Sequence, residues 1–459
     1  MGEPTPAMAL PLAGQCVPLI EGRRARPRHG DAHIVRCIGI AALIAMNAGC
    51  ALHDAIVPTR MPSPAKSATV NVPAPNAAQV RMRDRENELL GAPLSQDSAA
   101  EIAFLHHPTV ARGLAILGIN ETMRLNVAHG QSRTRAREAV DVESRIERAL
   151  TVNVLSWLGE ALRPLDPMPA AVHARTRAAE EVGVALFAAR RAWIFAVAAN
   201  QEAALVDRMV AALQASRVLA QRMQQIGNAS NLEALRAERS LAEAAGRHIG
   251  ARAHAAIERE RLAHALGLWG QDIERMQLPS RLPDLPASVV GAEGLEARAV
   301  AARWDLRRLR AAIDAENATG VAAPRGLPLM HEDTAVHGPL LAQLDELAVR
   351  ARAEVRAAWI GYRAGYDLAR HARESLLPVI KRISEETLLR YNGMLVSVFA
   401  LLADTAEQAN AVMQALHAER DFWLAEVDLQ QALAGIGIVH PGVPGRMRDS
   451  PIDSHHATH

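Results

Sequence analysis

The sequence predicts a mainly α-helical chain built on a long antiparallel helical hairpin that occurs twice, with a small β-hairpin contribution. Three observations lead there. The segment RMQQIGNASNLEALRAE around Gly227 has a counterpart, LRYNGMLVSVFALLADT, around Gly393, and Trp193 precedes Ser230 by 37 residues where Trp359 precedes Ser397 by 38. Beyond the turns the two copies hold a register of 167 residues: Leu232 matches Phe399, Leu235 matches Leu402, Leu262 matches Leu429 and Leu266 matches Leu433. Finally, apolar residues recur every seven positions in both return helices. An internal repeat of this size determines the architecture.

The bulk properties exclude several classes. At 459 residues the length allows about two or three domains. Lys plus Arg number 51 against 50 Asp plus Glu, so no strongly basic surface points to nucleic acid. Aromatic residues are 3% of the chain, low for a large compact core, and abundant alanine suits helices packed closely side by side. The cysteines are Cys16, Cys37 and Cys50, so the body has neither a disulfide framework nor a thiolate metal cluster. No run of about 18 uncharged apolar residues marks a spanning helix.

The elements follow in order. Arg23, Arg24, Arg26, Arg28 and Arg36 precede the apolar run CIGIAALIAM, which leads through Asn47, Ala48 and Gly49 to Cys50. A basic segment, a short apolar segment and small residues describe an export signal. Cysteine after Ala-Gly is similar to a bacterial lipoprotein signal, which implies that Cys50 becomes the acylated first residue. An ordinary cleaved signal with an incidental cysteine is the alternative, and the first 20 or so residues allow a start further downstream. From Cys50 the proline-rich chain reads as an extended tether. A helix is expected from Ser98 as N-cap with Glu101 at the third position, interrupted at Pro108.

Two-residue alternation places Val140, Val142, Ile146, Leu150, Val152, Val154 and Leu158 on one face and charged or polar residues on the other, and a shorter run has Met123, Leu125 and Val127. Together they read as an antiparallel hairpin, either a barrel strand pair facing lipid or a soluble ribbon with one buried face. A long helix from about Val172 to Ile226 and a return helix from Ser230 to Leu268 come next. The return seam is Leu235, Ala242, Ile249, Ala256 and Ala263; in the second copy it is Leu402, Ala409, Leu416 and Trp423, with Phe399, Ala406 and Met413 between. A strict seven-residue seam faces a partner helix. Gly227 and Gly393 are expected to end the incoming helices in a left-handed conformation, with Ser230 and Ser397 capping the outgoing ones. Met394, Leu395 and Val396 put apolar side chains at the second turn, either as plain turn residues or as a docking site.

With the starts HPTVARGLAILGI and WDLRRLRAAI and the turns RMQQIGNAS and RYNGMLVSVFALLAD, the chain from about Ser98 to Gly435 resembles the outer-membrane efflux proteins, the TolC-like channels, with the heavy-metal and copper exporters among the closer-looking branches. The resemblance implies a homotrimer in the outer membrane that contributes hairpins to a shared barrel and long helices to a periplasmic tunnel, and that exports small solutes or metal ions. It implies partners as well: a periplasmic adaptor, an inner-membrane pump and outer-membrane lipid. It assigns Arg222, Gly227, Ser230, Arg390, Tyr391, Gly393, Met394 and Ser397 to the adaptor-docking tip. Glu233, Glu238 and Asp404 lie near that end, as a cation-favouring constriction or as solvated helix charge.

The organisation expected is a signal over 1–49, a lipid-anchored tether over 50–97, a first repeat over 98–285 with a β-hairpin at 121–160 and a helical hairpin at 172–268, a second repeat over 286–435 with a loop at 317–340 and a helical hairpin at 341–434, and a disordered tail over 436–459. One departure stands out. Pro108 precedes Trp193 by 85 residues, whereas Trp304 precedes Trp359 by 55, a deficit of 30. The second copy therefore lacks about one strand hairpin, and six strands from three subunits would close too narrow a barrel. Either the barrel is built differently or the chain is a degenerate, non-conducting periplasmic scaffold. No GxxxxGK[ST], GxGxxG or HExxH motif occurs, so no enzyme is expected. No metal or cofactor site is expected: adjacent His106 and His107 point to different helix sides, and Met394 and Met413 read as packing.

Overall fold

The computed structural model describes residues 76–135, 154–155, 157–158, 169–319 and 332–438. The expected signal, Cys50 and most of the expected tether and tail lie outside them. Among the described residues every regular element is a helix.

The first four helices pack on one another and contribute to the main core. Helix α1 (Ala77–Leu90) begins where a tether was expected. Asn76 caps it in a reciprocal box with Gln79, and no proline falls between Pro75 and Pro93. The Asn76 and Gln79 amides then donate at 2.7 and 2.8 Å to the carboxylate of Glu121. Helix α2 (Gln96–His106) starts one turn earlier than expected, because the Ser95 hydroxyl, not that of Ser98, accepts from the third amide. His107 is extended at ψ 127, as a residue before proline should be, and Pro108 opens α3 (Pro108–Ile116).

Helix α4 (Glu121–Arg135) corrects the first strand. Asn120 accepts from Met123 N at 2.9 Å, and the buried positions 124, 125 and 128 follow a helical period. Three alternating residues were too few to outweigh that cap. Arg124 closes the end of α2, donating at 2.6 Å to the carbonyls of both Phe104 and Leu105. Residues 154–155 and 157–158 are also helical, so the C-terminal end of the second strand is corrected too; the rest of that expected strand, 140–153 and 156, lies outside the described residues.

Helix α5 (Pro169–Gln225) has 57 residues and spans about 85 Å. Part of it is apolar and long enough to cross a membrane by length and composition, but 67% of that window is buried inside the fold. It turns back into α6 (Asn231–Leu266). Of the expected α6 stripe only Ala263 is buried: Leu235 and Ile249 are more than half exposed, and the buried positions are instead Ala234, Ala244, Ala251 and Leu262. Close backbone approach selects the alanines, and the larger residues that defined the stripe are left on the outer face.

The link between repeats contains α7 (Gln271–Arg275). The second repeat then has α8 (Leu295–Ala302), α9 (Trp304–Thr319), α10 (Glu332–His371), a π-helical segment (Ala372–Leu376), α11 (Leu377–Asn392) and α12 (Val398–Leu433). Both ends of the expected loop 317–340 are thus helical, and Pro339 sits exposed inside α10; residues 320–331 lie outside the described residues. The π segment interrupts the incoming helix of the second hairpin, ending where Pro378 offers no N–H to a normal turn. The second seam does hold: Leu416 and Trp423 are buried, and Ala409 and Met413 pack on α5 and α6 residues.

The duplication is visible in the hydrogen bonds. Trp193 donates its indole N–H to Leu94 O at 2.8 Å, and Trp359 does the same to Val290 O at 3.0 Å. Each return helix ends in a left-handed glycine pressed onto the break between the repeat's opening helices. Gly267 (φ 76) meets His107, and Gly435 (φ 82) meets Ala302 and Arg303. Ile436 and Ile438, expected to begin a disordered tail, are buried in the core.

Candidate functional site: the two hairpin tips

At the first tip α5 ends in a Schellman motif. Gly227 has φ 81, Asn228 N donates to Met223 O at 2.8 Å and Gly227 N to Gln224 O at 3.0 Å. Ser230 caps α6: its hydroxyl accepts from Glu233 N at 3.2 Å, while the Glu233 carboxylate takes Ser230 N at 2.8 Å and its hydroxyl at 2.9 Å. These bonds, the backbone one first, hold the Glu233 carboxyl below the usual range. Arg222 is exposed on the last turn.

The second tip repeats this geometry with different chemistry. Leu395 N donates to Arg390 O at 2.8 Å and Met394 N to Tyr391 O at 2.9 Å. The left-handed residue is therefore Met394 (φ 59), and Gly393, expected there, has φ −78. The 167-residue register would have found this, since it sets Met394 opposite Gly227. A side chain in that region costs about 1–2 kcal/mol. Met394 is 94% exposed and Leu395 78%, so the strained residue also presents apolar surface to solvent. Ser397 caps α12 through a 3.3 Å bond from Ala400 N, without a reciprocal acid. Arg390 pairs with Glu386 at 2.9 Å, and Tyr391 is partly exposed.

The three acids near this end occupy three environments. Glu233 belongs to the cap, and Glu238 is exposed on α6. Asp404, 8% exposed, lines an open groove of about 800 Å³ between α11 and α12 with Arg382, Glu386 and Arg390. Among the described residues no group of three or more metal-ligating side chains converges. His106 lies 3.3 Å from Glu86, and burial holds its imidazole down at about 4; His107 caps α3 instead.

Sequence reasoning missed a buried polar layer at the other end of α12. Arg190 bonds Gln430, and Arg191 bonds Asp428 at 2.7 Å and Gln431 at 2.6 Å. Its signal was Glu426, Asp428, Gln430 and Gln431 inside the run LAEVDLQQAL, a density of polar groups that a core helix keeps only when they are satisfied. Also unforeseen were histidine–carboxylate pairs along α5, Asp207 with His248 at 2.6 Å and Glu202 with His417 at 3.3 Å.

No family model and no curated protein matches the chain. Solved structures do. The chain is similar to CusC, whose crystal structures concern folding and transmembrane channel formation, at 12% identity over 75% of this chain and 93% of that one, with a TM-score of 0.53. It also aligns with the CmeC outer membrane channel of Campylobacter jejuni (14% identity, 63% and 68% covered, TM-score 0.47) and with the outer membrane protein VceC of Vibrio cholerae (15%, 79% and 99%, TM-score 0.47). The likeness to CusC is one of fold.

Proposed function

We propose that this chain is the outer-membrane channel subunit of an efflux system, working as a homotrimer anchored through an acylated Cys50. Its hairpin tips dock a periplasmic adaptor that links it to an inner-membrane pump, and the cargo is small solutes or metal ions. The observation that carries this reading is the tip. A fold whose closed turns need only glycine and a polar cap instead exposes Met394 and Leu395 at a strained position, and strain kept against a cheaper alternative marks function. Half-exposed Leu232, Leu235, Ile249 and Ile257 on α6 give the surface that sister subunits would cover. In the assembled tube, Glu238 and Asp404 would stand near the mouth as an acidic constriction, with Glu233 retained by its cap.

One observation favours a second reading, a non-conducting periplasmic scaffold. Only 12 residues separate Thr319 from Glu332, and 18 separate Arg135 from Val154. A spanning hairpin needs two strands of about 9–11 residues and a turn. Single-channel recording in planar bilayers separates the readings: the channel gives discrete conductance steps and the scaffold gives none. Replacing Cys50 by Ser should abolish palmitate labelling; labelling that persists would remove Cys50 as the anchor from the account.

A further inference from the structure

The duplication shows which surfaces of the chain lack their counterpart. Among the described residues the four long helices lie in the order α6, α5, α12, α10: α5 packs on α6 and α12, and α12 packs on α5 and α10. Trp193 and Trp359 make matching hydrogen bonds and set α5 and α10 in a register of 166 residues. Ser230 and Ser397 set α6 and α12 at 167, and Pro108 and Trp304 set α3 and α9 at 196.

Inside one chain the two repeats meet where α5 packs on α12 and α9. Leu416 of α12 is buried in the core, and Leu402 lines the groove between α12 and α5. Their equivalents on α6, Ile249 and Leu235, are exposed. Ile194 of α5 is wholly buried, while its equivalent on α10, Ile360, is exposed, as are Val349 and Leu368. One edge of the chain thus carries the α12 type of surface and the other edge the α5 type, each without the other.

Beside the α6 edge lies an open groove of about 550 Å³, lined by residues of α3, α5 and α6 that include His107, Arg112, Val184 and His264. In the second repeat α5 reaches the equivalent residues. Its Glu180 lies 3.7 Å from Arg308, the equivalent of Arg112, and its Arg191 donates at 2.6 Å to Gln431, the equivalent of His264. The α10 residue in the place of Glu180 is Glu346, which pairs with Arg350 on its own helix; Arg112 pairs with Glu181. Both Arg112 and Glu346 are largely exposed.

We propose that the outer face of α10 on one copy, with Glu346, Ile360 and Leu368, seats against α6 and the α3–α6 groove of a second copy. The contact repeats between chains the one that α5 makes with α12 and α9 within a chain, and it brings Glu346 opposite Arg112. At its centre the chemistry changes in a complementary way. Glu202 and His417, which pair at 3.3 Å inside the chain, correspond to Leu368 on α10 and Gly250 on α6. A leucine facing a glycine fits, and it removes charge from the middle of the contact. Because the two faces differ, the contact is head-to-tail and propagates around a ring. It needs only a second copy; that three copies close the ring rests on the channel reading.

Cross-linking of the full chain in detergent tests the pairing. A Cβ on Gly250 meets nothing within 4 Å, so cysteine fits there. With Gly250→Cys and Leu368→Cys in one chain, a short bis-maleimide should give covalent dimers and larger species, joined between positions 250 and 368 by peptide mass analysis. Each single variant should give no more than the wild type, which already carries Cys16, Cys37 and Cys50. Glu346→Arg should lower the yield about threefold, the scale of an exposed ion pair, and Arg112→Glu in the same chain should restore it. Links from 250 to 250 or from 368 to 368 would make the contact isologous and overturn the proposal. So would a loss that Arg112→Glu deepens. No link in a sample that sediments as three copies would overturn the pairing and leave the trimer standing. A linked sample without conductance would keep the contact and remove the channel.

Discussion

Three glycines separate backbone strain from packing. Gly227, Gly267 and Gly435 all have φ between 76 and 82, so alanine at each meets the same left-handed penalty, about 1–2 kcal/mol, partly offset by a stiffer unfolded chain. Their surroundings differ. A Cβ on Gly227 meets nothing within 4 Å. On Gly267 it would lie 2.8 Å from His107 Cα, and on Gly435 2.1 Å from Ala302 O and 2.4 Å from its carbonyl carbon. Those are backbone atoms that no rotamer change can clear, and overpacking adds about 1–3 kcal/mol. Gly227→Ala should therefore cost about 1 kcal/mol, Gly267→Ala about 2–4, and Gly435→Ala as much or more. Urea unfolding followed by circular dichroism at 222 nm measures the series. Equal losses at all three sites would refute the claim that the return helices are seated on the opening helices of their own repeats.

Other outcomes follow from the same geometry. Ser230→Ala should cost about 1 kcal/mol at the first tip, because it dismantles a reciprocal box, and Ser397→Ala about half that, read as local amide exchange; a larger loss at Ser397 would contradict the asymmetry. Met394→Gly should relieve strain and slow exchange over residues 388–397 while weakening adaptor capture, and capture that strengthens would remove Met394 from docking. Asn76 and then Gln79 hold the Glu121 carboxyl below the usual range. Its contribution is present above the ordinary carboxylate range and lost as pH falls through its folded value. Exchange in residues 77–90 should thus quicken in acid, modestly because Glu121 is solvated, and Glu121→Gln should abolish that dependence.

The duplication and both turns were legible because they are written in local chemistry. Gly227, Ser230 and Ser397 act where their types suggest, and the 167-residue register even predicts the left-handed Met394 when followed over the attraction of the adjacent glycine. What escaped the sequence depends on distance. The α6 seam was misplaced because Leu235 and Ile249 look like core, while closeness to α5 rewards Ala244 and Ala251. The strand at Met123–Val127 gave way to a cap at Asn120 and to Arg124 reaching the end of α2. The Glu202–His417 and Arg191–Asp428 pairs join residues more than 200 positions apart, and no local pattern announces them.

Sedimentation of the purified chain in detergent, over a wide range of dilution and with helicity recorded alongside, goes straight to the assembly. Three copies should travel together, and a cysteine placed at Leu235 or Ile249 should resist labelling until the complex dissociates and helicity falls. A single chain that stays fully helical and unfolds cooperatively at every concentration, with both positions freely labelled, would mean that the outer face of α6 needs no sister subunit.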